Sequence, residues 1–235
     1  MSARKSTYGQ RREVLESMFA SMGAHFGPSG WWPAKTPFEV VLGAILTQNT
    51  AWPNVAKALA DLDAITGLVP DKVAALAVSE LEKALYSAGF FRQKSRKILA
   101  FLHLMEANGG LGHGEPDASL ACFEHAETEE LREILLEVPG IGPETADGIL
   151  LYALNRPSFV VDAYTRRIYH RHGLVPESVD YAELRDFFMD ALPLDVALFN
   201  EYHALIVRTG KDFCRKSKPR CEACPLASFL EHVPE

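Results

Sequence analysis

Apolar residues recur at helical spacing along nearly the whole chain, whereas the alternation expected of strands is almost absent. Intervals of three and four residues place side chains on one face of a helix, the face that a folded protein buries. Four such sets stand out: Leu81, Leu85 and Ala88; Ile98, Leu102 and Met105; Leu131, Ile134 and Leu135; Phe187, Phe188 and Leu192. Glycine and proline separate them, as at Gly109-Gly110. The pattern predicts an all-α fold, in which one helix begins with Thr36 as cap, Pro37 as first residue and Glu39 completing a capping box.

The length and composition are those of a soluble globular protein with one large domain or two small ones. Of the 235 residues, 48% are hydrophobic and 23% are charged, which excludes a disordered chain, a collagen-like repeat or a disulfide-stapled miniprotein. The longest apolar run, Val40 to Leu46, is too short to cross a bilayer, which requires about 20 residues. The basic start of the chain, Met1 to Ser6, is not followed by an apolar segment. We therefore expect no secretory signal, no membrane partner and a cytoplasmic location.

The charge of the chain is acidic in sum but uneven in distribution. A net charge of -7 alone argues against nucleic acid, because phosphate binding favours basic surfaces. Basic residues nevertheless cluster in two runs, Arg92, Lys94, Arg96 and Lys97, and then Arg208, Lys211, Arg215, Lys216, Lys218 and Arg220. Each run is either a solvated helix face or part of one basic face on a bipolar protein.

The sharpest local motif runs from Glu137 to Ala146, between two helical patterns. Gly140 and Gly142, separated by one apolar residue, allow a tight hairpin and leave backbone N–H groups open to a ligand. The hairpin opens the helix that carries Thr145, and a helix N-terminus favours an anion. The alternative is a plain helix–turn–helix corner.

Three motifs in order resemble the endonuclease III superfamily of DNA glycosylases. The hairpin, followed by Val160-Val161-Asp162, is similar to its helix–hairpin–helix and Gly/Pro-Asp loop, the segment 42–50 resembles its Gln-bearing helix end, and Cys214-x6-Cys221-x2-Cys224 resembles its iron–sulfur loop. The resemblance covers residues 31 to 225 and implies two helical lobes flanking a DNA-binding cleft. It places a six-helix lobe with the hairpin at 31–155, and a second lobe with the catalytic Asp and the cysteine loop at 1–30 and 156–235. It also implies a monomer acting on double-stranded DNA that contains a damaged base.

Asp162 and Glu144 carry the expected chemistry. By position, Asp162 is either the N-cap of a new helix or a carboxylate that stabilises an oxocarbenium-like sugar, and the resemblance implies the catalytic role. Glu144 stands where family members that also cut the backbone carry a lysine, whose amine attacks the sugar. A carboxylate cannot do this, so we predict no efficient abasic-site lyase activity. Glu144 can also be only an acid that complements the helix dipole.

The three tryptophans flank Gln48. Trp31, Trp32, Pro33 and Trp52 are either core residues or a base pocket, and they are similar to the element with which 3-methyladenine-specific relatives sandwich a flipped base. Two aromatic faces suit a cationic purine through stacking and cation–π attraction. Gln48 resembles the family's wedge, which fills the gap left by the flipped nucleotide, although it can also be only a polar residue at a helix end. The predicted DNA contacts are Gln48, Gly140, Gly142 and Thr145.

The cysteines leave the metal content open. The family pattern has a fourth cysteine where this chain has Leu230, and His232 lies two residues further on. Cys214, Cys221 and Cys224 can therefore hold a 4Fe-4S cluster with His232 as fourth ligand, bind zinc with the same histidine, or remain free thiols in a reducing cytosol.

Together these features predict a monofunctional DNA glycosylase of base excision repair, acting on 3-methyladenine or a related alkylpurine. One alternative is a glycosylase for mismatched thymine or uracil or for oxidised pyrimidines. The other is a helix–hairpin–helix DNA-binding protein without catalysis.

Overall fold

The computed structural model describes residues 8–114 and 118–230, and the regular structure in these two ranges is helical throughout. The predicted all-α fold is confirmed. The α-helices are α1 (Tyr8–Phe26), α2 (Pro37–Leu46), α3 (Trp52–Thr66), α4 (Pro70–Ala74), α5 (Val78–Ala84), α6 (Phe91–Ala107), α7 (Thr128–Glu137), α8 (Pro143–Gly148), α9 (Ala163–Arg171), α10 (Tyr181–Met189) and α11 (Val196–Asp212). Short 3₁₀ segments lie at Tyr86–Ala88, Ala118–Phe123, Cys221–Ala223 and Ala227–Phe229, and one π-helical turn lies at Ile149–Ala153. In the described part of the chain, none of the helices combines the length and apolarity that crossing a bilayer requires.

The chain divides into two compact units. One consists of residues 32–156, and the other combines the chain up to Trp31 with the chain from Pro157 onward. The sequence-based boundaries, 31–155 for the first lobe, differ from this division by one residue at each end. Each unit contains its own buried apolar side chains.

Helix α2 lies at the centre of the 32–156 unit, and seven of its ten residues are buried. The Thr36 side chain accepts a hydrogen bond from the Glu39 backbone N–H at 3.1 Å, and Pro37 occupies the first turn, as predicted. The predicted capping box is wrong in one respect. The Glu39 carboxylate accepts from the backbone N–H of Lys35 at 2.7 Å, one residue before the cap, so it fixes the approaching chain and not the cap itself.

The hairpin of this unit joins α7 to α8. Helix α7 ends at Glu137, and Ile141 N–H donates to the Val138 carbonyl at 3.0 Å to close the turn. Ile141 is 4% exposed and anchors the turn in the core, while Gly140 beside it is exposed and has φ +89°. Pro143 then begins α8 because its fixed φ suits a first helical turn.

The other unit is built around α9 and α11. The Tyr169 hydroxyl on α9 donates to that of Tyr202 on α11 at 2.8 Å, and Tyr202 donates in turn to the Leu15 carbonyl of α1 at 2.7 Å. At Gly210 of α11, an added Cβ would lie 2.2 Å from Cδ1 of Tyr164. Glycine at this position therefore lets Tyr164 and its helix approach α11 closely.

Candidate active site and nucleic-acid interface

Asp162 is the N-cap of α9, and the cap uses only one of its two carboxylate oxygens. Oδ1 accepts from the Thr165 backbone N–H at 2.7 Å and from the Thr165 hydroxyl at 2.9 Å, and that hydroxyl oxygen accepts from the Asp162 N–H at 3.2 Å. These bonds fix the orientation of the carboxylate. Its second oxygen, Oδ2, takes no part in the cap and lies 3.9 Å from Nε2 of His203.

His203, on α11, is the residue beside the candidate catalytic carboxylate that sequence reasoning missed. Its side chain is 9% exposed, against 12% for Asp162. Burial lowers the pKa of His203, and the Asp162 carboxylate only partly counteracts this effect. No motif marks His203, because it lies in a helix whose residues from Tyr202 to Val207 are all buried.

Gln48 and the hairpin form one hydrogen-bonded network. The Gln48 amide nitrogen donates to the Gly140 carbonyl at 3.2 Å and to the Thr145 hydroxyl at 2.8 Å, and its amide oxygen accepts from the Lys97 ammonium. The structure thus brings together three of the four predicted DNA-contacting residues. The fourth, Gly142, is exposed and caps α8.

Lys97 reaches Gln48 by crossing over Gly140. A Cβ on Gly140 would lie 2.5 Å from Cγ and 2.6 Å from Cε of the lysine. Glycine is therefore required at this position for two reasons, the positive φ and the lysine stem. The sequence motif indicated the first reason only.

The prediction that the first basic run lies on a solvated or DNA-facing surface is wrong for Lys94, whereas Arg92 and Arg96 of the same run are exposed. Lys94 is 2% exposed, and its ammonium donates to the carbonyls of Leu46 and Ala88, each at 2.8 Å, and to the Thr50 hydroxyl. Burial, with a smaller contribution from the neighbouring Lys97 charge, lowers the pKa of Lys94 to about 8. Lys94 therefore ties the segment that carries Gln48 to the turn before α6.

That turn exposes the aromatic side chain of Phe90, for which the sequence analysis predicted no role. Phe90 is 65% exposed and has φ +46°, a conformation that costs a non-glycine residue about 1–2 kcal/mol. It follows Gly89, and Tyr86 nearby is 71% exposed. Residues held in such strained backbone conformations cluster at functional sites. In the sequence, this turn is indicated only by the dipeptide Gly89-Phe90 directly before a basic helix.

Trp32 and Trp52 are in contact with each other. Their ring centroids are 5.4 Å apart with planes at 84°, and Trp32 also packs on Tyr152 at 5.3 Å. Both tryptophans are partly buried against the core of the 32–156 unit, whereas Pro33 is exposed. A base does not fit between two rings in edge-to-face contact, so a clamp between Trp32 and Trp52 is not preformed. Trp31 belongs to the other unit, where its backbone N–H donates to the Ser29 hydroxyl at 3.2 Å.

Glu144 is exposed in the first turn of α8. The helix that follows the hairpin therefore presents a carboxylate at the position where lyase members of the resembled family carry an amine. The lysine amine that contacts the hairpin network is that of Lys97, which donates to Gln48.

Cys214, Cys221 and Cys224 line one cavity, together with Leu230 at the fourth family position. The Cys214 sulfur accepts from Arg171 at 3.2 Å, and burial, together with the two neighbouring thiols, raises the pKa of Cys224. The buried Thr209 hydroxyl, also in the cavity wall, has no hydrogen-bond partner among the described residues. His232 lies outside the described residues.

The three cysteines offer thiolate donors, whereas Leu230 offers no ligand at the fourth family position. Within residues 8–114 and 118–230, no three His, Cys, Asp or Glu side chains are grouped so that they could hold one metal ion. In a 4Fe-4S cluster each thiolate binds a different iron, so the sulfurs need not converge on one point. The cluster itself stays a prediction.

The basic residues that follow Cys214 are exposed: Arg215, Lys216, Lys218 and Arg220. Arg208, which precedes Cys214 on α11, is partly buried, with its guanidinium 4.5 Å from the Phe26 ring centroid. Arg171 donates to the carbonyls of Arg215 at 2.7 Å and Lys216 at 3.2 Å and so holds the segment in place.

The sequence matches a known protein family and a known relative. A family model described as the HhH-GPD superfamily base excision DNA repair protein matches residues 42–193. The chain is 40% identical over 217 residues to a protein of Methanocaldococcus jannaschii named provisionally as a DNA repair glycosylase, covering 92% of this chain and 96% of that protein.

Two solved structures share the fold over most of the chain. A trapped endonuclease III–DNA covalent intermediate has a TM-score of 0.76 at 21% identity and covers 94% of this chain and 95% of its own. The H. pylori 3-methyladenine DNA glycosylase bound to 1,N6-ethenoadenine has a TM-score of 0.70 at 29% identity, with 86% and 97% covered. The superfamily expectation is confirmed, and the chain belongs to the HhH-GPD superfamily of base excision DNA repair proteins.

Proposed function

We propose that this protein is a monofunctional DNA glycosylase that releases 3-methyladenine or a related alkylpurine from double-stranded DNA. The observation that carries the proposal is the state of Asp162. Its carboxylate is oriented by the helix cap through one oxygen, and its other oxygen stays outside the cap. A repair enzyme of this kind works on the chromosome, which in a bacterium or archaeon lies in the cytoplasm, and we expect it to act as a monomer.

In the proposed reaction Asp162 stabilises positive charge on the sugar. The bond between C1′ and the base nitrogen breaks with its electron pair going to the base, which leaves an oxocarbenium-like sugar. Asp162 Oδ2 stabilises that cation and orients the attacking water, whose proton it accepts. An alkylated purine such as 3-methyladenine is attached as a cation and departs neutral, so the site needs no strong general acid.

The aromatic group of Trp32, Trp52 and Tyr152 supports the alkylpurine choice. Electron-rich rings attract a cationic base by about 0.5–2 kcal/mol beyond the burial of apolar area. Since Trp32 and Trp52 touch each other, we propose that the base stacks on an outer ring face of this group or displaces one ring on entry. The 29% identical 3-methyladenine glycosylase of H. pylori supports the same substrate class.

Two sets of residues are proposed to contact DNA. The backbone N–H groups of the Gly140–Gly142 hairpin contact phosphate, Gln48 and Phe90 enter the base stack, and the exposed residues of the 215–220 segment contact the backbone electrostatically. If a 4Fe-4S cluster is bound, Cys214, Cys221 and Cys224 hold it. It would order the basic segment and supply no chemistry to base release.

The lack of lyase activity is proposed from Glu144. Strand cleavage through a Schiff base needs an amine nucleophile at C1′. Glu144 cannot form one, so the product is an intact abasic site.

A panel of duplexes tests the proposal. Release of base is measured for duplexes that contain 3-methyladenine, a thymine mismatch or thymine glycol, with Asp162→Asn as the inactive control. Release of 3-methyladenine alone agrees with the proposal. Release of thymine or of thymine glycol alone refutes the alkylpurine substrate and keeps the glycosylase. Binding to all three without release by the wild type identifies a non-catalytic DNA-binding protein.

A further inference from the structure

Gln48 has its hydrogen-bonding groups engaged before DNA arrives. Its amide nitrogen has two hydrogens, and these face the Gly140 carbonyl and the Thr145 hydroxyl. Its amide oxygen faces the Lys97 ammonium. An ammonium only donates and a carbonyl only accepts, so the partners on the two sides fix which end of the amide is oxygen.

Lys97 completes this network from a different element. It lies on α6, Gln48 follows α2, and Gly140 and Thr145 belong to the hairpin and α8. Its stem lies over Gly140 within 3 Å of where a Cβ would be, so it cannot pass this way over any other residue. Lys97 is half-buried by these contacts, whereas Arg96 beside it is exposed.

We infer that Lys97 is a positioning residue for DNA: it holds the Gln48 amide on the hairpin, so that phosphate binding at the hairpin and insertion of Gln48 occur as one event. The inference rests on the proposed insertion of Gln48 into DNA. It assigns Lys97 a role that acts through Gln48 and not through a phosphate contact of its own, since the ammonium is already bonded to the amide oxygen.

A double-mutant cycle tests the inference on binding and needs no turnover. The probe is a duplex with a tetrahydrofuran abasic-site analogue, with 2-aminopurine beside it to report insertion into the stack by fluorescence, and an undamaged duplex is the reference. The variants are Lys97→Met, which keeps an unbranched stem over Gly140 but cannot donate, Gln48→Ala, and the double variant. Arg96→Met removes the same charge from the same helix at an exposed position and serves as the matched control.

If Lys97 acts through Gln48, each single variant loses about tenfold in preference for the abasic duplex, the order of one charge-assisted hydrogen bond. The double variant then resembles Gln48→Ala within about twofold, because coupled residues are not additive. The 2-aminopurine signal falls equally in Lys97→Met and Gln48→Ala. Arg96→Met leaves both the preference and the signal unchanged.

Two outcomes overturn the inference. One is that the losses of the two single variants add up in the double variant, while the slope of log binding constant against log salt concentration falls in steepness by about 0.9 in Lys97→Met. This would mean that the ammonium contacts a phosphate directly. An unchanged preference in Gln48→Ala would mean that Gln48 is not inserted and that Lys97 has nothing to position. Neither outcome bears on base release by Asp162, which the lesion panel measures separately. Thermal unfolding of each variant excludes a loss of fold as the cause.

Discussion

Replacing Asp162 by Asn separates the two roles of this side chain. Asparagine caps helices as well as aspartate does, and its amide oxygen can keep both bonds from Thr165 that Oδ1 accepts at 2.7 and 2.9 Å. What the substitution removes is the negative charge. We therefore expect a folded protein in which the candidate chemistry alone is lost.

The magnitudes follow from this geometry. The cap bonds remain, so only the attraction between the charge and the α9 dipole is lost, about 0.3–1 kcal/mol. For a chain of this size that lowers the melting temperature by no more than about 2–4 °C. A carboxylate about 4 Å from a developing sugar cation contributes about 4 kcal/mol at an effective dielectric constant of 20. Its loss slows base release by about 10³-fold.

The measurements are single-turnover release of 3-methyladenine and thermal unfolding, with Asp180 as the matched control. Asp180 caps α10 in the same unit and accepts from the Glu183 N–H at 2.8 Å, just as Asp162 accepts from Thr165. Asp180→Asn should have the same melting temperature as Asp162→Asn, but it should release base at the wild-type rate. Release of base by Asp162→Asn at the wild-type rate would refute the catalytic role of the carboxylate. Unfolding of Asp162→Asn but not of Asp180→Asn would refute the expectation that asparagine keeps the cap.

Four further expectations follow from other parts of the molecule. Borohydride should trap no covalent adduct with DNA, because Glu144 offers no amine; a robust adduct would point to another lysine. Trp52→Ala should slow release of 3-methyladenine by about 5- to 150-fold through loss of stacking; a full rate in the folded fraction contradicts a pocket role. The logarithm of the DNA-binding constant should fall with the logarithm of the salt concentration at a slope of about -3 to -4. The double variant Lys216→Gln with Lys218→Gln should reduce the steepness of this slope by about 1.8 if both lysines contact phosphate. Burial lowers the pKa of Lys94 to about 8 from 10.5, so between these pH values the unfolded chain binds more protons than the folded one. The free energy of unfolding of the wild type, measured in urea, should therefore rise over this pH range relative to that of Lys94→Met.

Local signals predicted the elements that local chemistry determines. The helices followed from three- and four-residue spacing, the start of α2 from Thr36-Pro37, and the turn at Gly140 from glycine's conformational freedom. The Asp162 cap followed from an aspartate placed between an apolar segment and a helix. In each case neighbours within four residues provide the hydrogen bonds that form the helix, cap or turn, so a short stretch of sequence is enough to predict it.

Contacts between distant segments were not predictable in this way. Lys94 belongs to a basic run and was expected on a surface, but it is buried, and its ammonium donates hydrogen bonds to carbonyls 48 and 6 residues away. His203 lies 41 residues from Asp162, and nothing in its own helix marks it. The edge-to-face contact of Trp32 with Trp52 depends on how the segment before α2 packs against α3. The positions of the tryptophans in the sequence do not determine this packing.

The sequence left two interpretations of Asp162 as alternatives, and the structure makes them compatible. A cap needs one acceptor oxygen, whereas a carboxylate has two. The bonds from Thr165 hold Oδ1, and by doing so they prevent rotation of the carboxylate and fix where Oδ2 points. Orientation of a charged group before reaction is what makes electrostatic stabilisation effective, because the group need not reorganise when charge develops. The cap is thus a means of positioning the candidate catalytic oxygen, and a residue that caps a helix in this way keeps a second oxygen outside the cap, as the proposed chemistry requires.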